Sequence, residues 1–228
     1  MISFITVNYK GDKWIDLLLK SINNTISHLN YETIVVLNSP SKLDYSKYVN
    51  VKVVDNSKTK TVGGEGHAEG LTRGFERVDP KSKVTVILDQ DVGLLSKNWD
   101  QTIQSLMDNY VLIGGSIETE AYSQPFLRPQ FLAFLTAIFR DEILFKDGFK
   151  PNLPIGDTTS RLFAFVERSN LPYKVLPNSR NWSKQYESLF KYGETIYLPS
   201  LKPLCHHVGR SVHKSHRLGE WKEFLDEY

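Results

Sequence analysis

Apolar and polar positions fall into alternating blocks over the first half of the chain. Ile2 to Val7 is a β-branched and aromatic run. Gly11-Asp12 breaks it, and Trp14, Leu17, Leu18, Ser21 and Ile22 then recur at helical spacing. This predicts strand, turn, helix. Tyr31 to Leu37 predicts a second strand ending at Asn38-Ser39-Pro40, and Val51 to Val54 a third ending at Asp55-Asn56-Ser57. Ala68, Leu71, Phe75 and Val78 place a helix over Glu65 to Val78, and Val84 to Leu88 is a buried strand that stops on Asp89-Gln90-Asp91. A helix from Leu94-Leu95 to Met107 with Ser96 as its N-cap, then a strand from Tyr110 to Ile113, complete the alternation. Strands alternating with helices predict an α/β fold with a mostly parallel, doubly wound sheet.

Beyond Gly115 the alternation weakens, which predicts a smaller C-terminal region. Phe131 to Phe139 is apolar without a clean period, Arg140 to Phe145 reads as a short helix, and Pro151 and Pro154 mark a loop. Asp157 opens a helix with Leu162, Phe163 and Val166 on one side, and Pro172 to Pro177 reads as an edge strand. Asn178 to Tyr192 is polar and aromatic, as binding loops are. Leu204 to His216 gathers Cys205, His206, His207, Arg210, His213, Lys214 and His216, and Leu218 to Tyr228 reads as an amphipathic helix.

Composition narrows the class. A chain of 228 residues fits one domain, and one of this size buries roughly 70% of its unfolded surface. A formal net charge of +2 gives no reason to expect nucleic acid as a partner. The single cysteine, Cys205, excludes an intrachain disulfide and a C-x-x-C metal site, which fits a cytoplasmic protein. No apolar run reaches transmembrane length.

The chemistry converges on the strand end at Asp89-Gln90-Asp91. Open α/β sheets bind ligands beyond the C-terminal ends of their strands, and two carboxylates one residue apart there offer hard oxygen ligands to Mg²⁺ or Mn²⁺. The same three residues also suit a plain polar turn. His206 and His207 add imidazoles for a metal or a diphosphate, whereas a structural zinc site built on Cys205 and the histidines lacks a second cysteine. Gly63-Gly64-Glu65-Gly66 resembles a dinucleotide fingerprint, but Glu69 stands where the third glycine belongs and no strand runs directly into it.

Taken in order, these fragments resemble a family 2 type glycosyltransferase with the GT-A fold. The residues that carry the likeness are Ile2 to Asn8 with Leu17-Leu18-Leu19, Gly63 to Gly70, Leu88-Asp89-Gln90-Asp91-Val92, Gly148-Phe149 leading to Gly156-Asp157, and His206-His207-Val208-Gly209. The resemblance implies a single domain over 1–228. Its first half, 1–115, would bind a nucleotide-diphosphate sugar, and its second, 116–228, a glycan or lipid-linked acceptor. It implies a metal-dependent, inverting transfer with Mn²⁺ or Mg²⁺ as cofactor. Asp91 and His207 would be metal ligands, Asp89 a metal ligand or a ribose contact, and Asp157 the base that takes the acceptor proton. Asn8, Tyr9, Asn38, Gly66, His67, Gln90 and Arg210 would line the nucleotide-sugar side. This chain has Gly156 where the family usually carries an acidic residue, and Asn38 where the second strand commonly ends in one. A nucleotidyltransferase, or a non-catalytic nucleotide- or sugar-binding module of the same fold, is the alternative.

Overall fold

The computed structural model describes residues 1–27, 30–118, 126–145, 149, 158–180, 188–189 and 193–209. Its strands are β1 (Ile2–Asn8), β2 (Tyr31–Leu37), β3 (Val51–Asp55), β4 (Val84–Leu88), β5 (Val92–Leu94), β6 (Leu112–Gly114), β7 (Ile117–Glu118), β8 (Phe126–Leu127), β9 (Phe131–Leu135), β10 (Tyr173–Val175), β11 (Glu194–Tyr197) and β12 (Pro203–His207). The helices are α1 (Asp12–Thr25), α2 (Gly63–Phe75), α3 (Trp99–Leu106), α4 (Thr136–Phe145) and α5 (Ser160–Arg168).

Seven strands form one sheet in the order β10-β6-β9-β4-β1-β2-β3. The strands β4, β1, β2 and β3 run parallel, β10 is parallel to β6, and β9 lies antiparallel between β4 and β6. Strand alternation divides the apolar residues between two cores. Ile2 and Phe4 of β1, Val84, Val86 and Leu88 of β4, and Phe131 of β9 pack against Ile15 and Leu18 of α1 and Trp99 and Ile103 of α3. Ile5, Val7, Ile87, Leu132 and Phe134 point the other way, towards Leu71 and Phe75 of α2, Phe139 and Ile143 of α4, and Leu162 and Phe163 of α5. Helices cover both faces, as the period of the sequence requires. Close helix–sheet contact rests on small residues: a Cβ on Gly70 of α2 would come within 2.8 Å of Val7 and 3.1 Å of Asn38.

Two expectations are corrected. The apolar stretch from Phe131 is β9 followed directly by α4, which starts at Thr136 rather than Arg140. A strand buried on both faces has no amphipathic alternation, so its run merges with that of the helix. The expected helix from Leu94-Leu95 is instead β5 and then a shorter α3 beginning at Trp99. Ser96 is not its cap: Asn98 holds that position at φ 60, and the Ser96 hydroxyl donates to the Pro203 carbonyl at 2.6 Å. The start of the histidine-rich stretch forms β12, which pairs with β11 and β5 in a three-stranded antiparallel sheet. The expected edge strand is β10, at the edge of the main sheet. The loop about Pro151 and Pro154, the stretch 181–187, and the expected helix over 218–228 lie outside the described residues.

Near the β1 end of the domain, Asp16 of α1 meets Lys20 at 2.8 Å, Lys47 at 3.0 Å and the Tyr48 hydroxyl. Burial alone would raise its pKa, but hydrogen bonds from Lys20, Tyr48 and Lys47 outweigh that and lower it from 3.8 to about 2. The folded value lies below the unfolded one, so the cluster stabilises fully above the unfolded pKa and loses its effect as pH falls through the folded one. Because both lysine partners are about half exposed, Asp16→Asn is expected to cost at most about 1 kcal/mol near neutrality. Melting curves of wild type and variant should converge as pH falls to about 2.

Candidate metal and nucleotide site

The site is built where β4 ends. After Leu88 the chain turns through Asp89-Gln90-Asp91, closed by the Val92 amide donating to the Asp89 carbonyl at 3.2 Å, and returns as β5. In the small sheet His207 of β12 pairs with Val92, next to Asp91, and the Val208 amide donates to the Asp91 carbonyl at 3.1 Å. Backbone pairing across more than a hundred residues of sequence thus docks a histidine on the carboxylate turn.

His207 Nε2 lies 3.3 Å from Asp91 Oδ1 and 3.6 Å from Asp89 Oδ2. One ligand atom from each of Asp89, Asp91 and His207 falls within 4.8 Å of the others. Two hard carboxylate oxygens and one imidazole nitrogen form a donor set that suits Mn²⁺ or Mg²⁺. Asp91 is only 6% exposed, and a cation offsets the repulsion between two carboxylates held so close. Burial would lower the His207 pKa, but Asp91, Asp89 and Glu194 together raise it above the ordinary 6.5. Neighbouring strand residues face opposite ways, so His206 points away from this cluster, buried with Nδ1 2.9 Å from the Thr195 hydroxyl.

His67 on the first turns of α2 flanks the same carboxylates. Its Nε2 is 3.6 Å from Asp89 Oδ1 and its Nδ1 is 3.3 Å from the Thr158 hydroxyl, so it spans from the β4 end to the start of α5. Asp89 therefore sits between two imidazoles. Gly66 has a packing role beside it: a Cβ there would meet the Thr61 carbonyl at 2.7 Å, and only glycine lets that loop close onto the helix start.

The strand-end amides serve the turns. Asn8 is fully buried; its Nδ2 donates to Asp12 at 2.8 Å and Tyr45 at 3.1 Å, and its Oδ1 accepts from the Gly11 amide at 3.0 Å. Asn38 donates to the Gly66 carbonyl at 2.6 Å and accepts from Asn56 at 2.9 Å, tying β2, β3 and α2 together. Gln90 accepts from the Tyr9 amide at 2.9 Å and rests against Gly11, where a Cβ would stand 2.6 Å from its Oε1. This joins the β1–α1 turn to the carboxylate turn. Tyr9 itself is 38% exposed, with Lys10 Nζ 5.2 Å from its ring centroid.

Sequence reasoning missed Glu194. It is paired with His207 across β11 and β12 and is 5% exposed. Its Oε2 accepts from Gln130 at 3.0 Å and lies 3.8 Å from Arg128. Burial pushes its pKa up against the pull of His207, Arg128, Ser116 and Arg180. A lone glutamate in Gly-Glu-Thr-Ile-Tyr carries no pattern that would have singled it out. Asp157, Arg210 and His213, together with Trp182, Lys184, Tyr186 and Tyr192, lie outside the described residues. Among the described residues no helix is long and apolar enough to cross a membrane.

No family model matches the chain, and no curated protein matches it by sequence. Solved structures do match by fold. The mannosyltransferase PcManGT from Pyrobaculum calidifontis, in complex with GDP-Man and Mn²⁺, is 13% identical with a TM-score of 0.59 over 77% of this chain and 54% of its own. TarS of S. aureus is 17% identical with a TM-score of 0.55 over 77% of this chain and 35% of its own. The 4-diphosphocytidyl-2C-methyl-D-erythritol synthase of Anaerococcus prevotii DSM 20548 is 19% identical with a TM-score of 0.50, covering 77% of this chain and 88% of its own. The chain spans about half the length of the first of these and about a third of the second. What is shared at such identities is the fold, a mixed α/β architecture on a mostly parallel central sheet; in this chain a candidate Asp-Asp-His metal group stands at the end of β4.

Proposed function

We propose that the chain is a metal-dependent, inverting glycosyltransferase of the family 2 type, moving a sugar from a nucleotide-diphosphate donor to a hydroxyl of a glycan or lipid-linked acceptor. The observation that carries this reading is the convergence of Asp89, Asp91 and His207 at the ligand-binding end of the central strand. The fold shared with a mannosyltransferase bound to GDP-Man and Mn²⁺ supports it.

Asp91, His207 and Asp89 would hold Mn²⁺ or Mg²⁺. When bound, the cation stabilises negative charge developing on the departing diphosphate. The remaining work falls to the chain. Tyr9, exposed beside the β1 end, stacks on the base. Asn8, Asn38 and Gln90 act by fixing the backbone of three strand ends, since their amides are engaged there. Gly66 and His67 bring the α2 start to the donor, and Arg210 supplies positive charge to its phosphates. Asp157 takes the acceptor proton. His67 reaches the Thr158 hydroxyl as well as Asp89, so the start of α5 stands close to the carboxylates.

The likeness to a synthase whose whole length this chain nearly covers favours one second reading, a nucleotidyltransferase. Product analysis separates the two. Incubation with GDP-mannose or UDP-N-acetylglucosamine and Mn²⁺ is expected to release nucleoside diphosphate and sugar, slowly to water and faster with acceptor. The transferred sugar's anomeric configuration should be opposite to the donor's. Pyrophosphate released from a nucleoside triphosphate and a sugar phosphate would instead assign the second reading.

A further inference from the structure

Glu194 offers an unused hydrogen-bond acceptor beside the metal ligands. It and His207 are directly paired on β11 and β12, so their side chains leave the same face of the small sheet. The Glu194 side chain is 7% exposed. Oε2 is held by Gln130 and Arg128, whereas Oε1 is buried and has no hydrogen-bond partner among the described residues. Gln130 is itself buried, and its Oε1 accepts from the Ser116 hydroxyl at 3.3 Å. Arg128 and Gln130 sit on the turn from β8 into β9. Because Phe131 pairs with Leu88, that turn lies at the same end of the sheet as Asp89 and Asp91.

A carboxylate buried with half its acceptor capacity unused is costly, so a donor is expected to meet it when the site is filled. The chemistry of that donor follows from the cluster. A phosphate group has no proton to give Oε1 and is repelled by the carboxylate, whereas a sugar hydroxyl donates to a carboxylate and accepts from a guanidinium. Charge-assisted contacts of both kinds stand side by side here. We infer that Glu194 and Arg128 form a hydroxyl-binding subsite for the transferred monosaccharide, Oε1 accepting from one hydroxyl and Arg128 donating to a neighbouring one. The inference rests on the proposed function, since it assigns the sugar's place in the same donor site.

The test compares affinity for a nucleoside diphosphate with affinity for its sugar conjugate in the presence of Mn²⁺, by calorimetric titration of the full chain. GDP with GDP-mannose and UDP with UDP-N-acetylglucosamine are the probe pairs. In Glu194→Gln, affinity for the diphosphate should stay within about twofold and affinity for the sugar nucleotide should fall about tenfold, the difference between a charged and a neutral acceptor. Arg128→Gln, a change at a partly exposed side chain, should shift the same ratio in the same direction and serves if the first variant does not fold. An equal loss for both ligands would overturn the inference by placing Glu194's effect on the metal centre. So would an unchanged ratio in both variants. Wild type that binds neither diphosphate with Mn²⁺ would sink the reading of the whole site, and this subsite with it.

Discussion

Asp91→Asn is expected to lower sugar transfer by at least about a thousandfold, ~4 kcal/mol of lost transition-state stabilisation, with the fold intact. The side chain keeps its shape, and the contact that docks β12 on the turn runs through the Asp91 carbonyl, which the substitution leaves in place. The variant loses the carboxylate that approaches His207 Nε2 at 3.3 Å, and with it one of the two hard anionic donors of the cluster. The loss should appear in kcat as well as in donor affinity, because charge on the leaving group develops only as the bond breaks. Donor hydrolysis assayed beside a thermal melt reads both quantities. A melt within a few degrees of wild type together with near-wild-type turnover would remove Asp91 from the metal.

Gly193→Ala is expected to be the most damaging single change to the architecture that holds His207. Gly193 has φ +100, a region closed to residues with a Cβ, and a Cβ there would meet the His207 carbonyl and come within 2.7 Å of His206 Nε2. The obstacle is largely backbone, so β11 and β12 must separate for alanine to fit. Backbone strain and overpacking together should cost about 3 kcal/mol. For a chain of this length that is a fall in Tm of roughly 6–12 °C. Mn²⁺ affinity should fall by about tenfold or more, because a ligand moves when its supporting strand does. Gly64→Ala supplies the contrast: nothing lies within 4 Å of a Cβ there, and in a helix it should be neutral or stabilise by up to about 1 kcal/mol. Equal effects of the two alanines on Mn²⁺ binding would show that β11 does not position His207.

What the sequence made legible is the part of the fold whose signal is local. The strands β1, β2, β3 and β4 each read as an apolar run closed by a polar turn, and each forms. The elements it concealed depend on distant partners. The strand β5 has three residues and β12 five, and neither is stable without the other; Val92, Gly93 and Leu94 carry too short a pattern to announce a strand. The strand β9 was hidden for the opposite reason, being apolar throughout because both its faces are buried.

The candidate site divides the same way. Asp89 and Asp91 stand out because two carboxylates end an apolar strand. The preference for His207 over His206 came from resemblance, and the physical reason appears only once β12 is seen as a strand with alternating faces. Glu194 was out of reach, since its burial, its pairing with His207 and its held oxygen all come from pairings invisible in a single chain of letters. Asn8, Asn38 and Gln90 sit at the strand ends where they were expected, but their amides are turned to the backbone of neighbouring turns.

A nucleoside diphosphate is expected to bind through a cation held by Asp89, Asp91 and His207. The most direct measurement is a thermal-shift titration of UDP, GDP, dTDP, CDP and CMP, each with and without Mn²⁺ or Mg²⁺. A ligand at a hundred times its dissociation constant adds about 2.7 kcal/mol, several degrees in a domain of this size. The expected result is that at least one nucleoside diphosphate stabilises wild type only when the metal is present, and that Asp91→Asn abolishes that shift. Stabilisation of equal size without metal, or no response to any nucleotide under either condition, would contradict it.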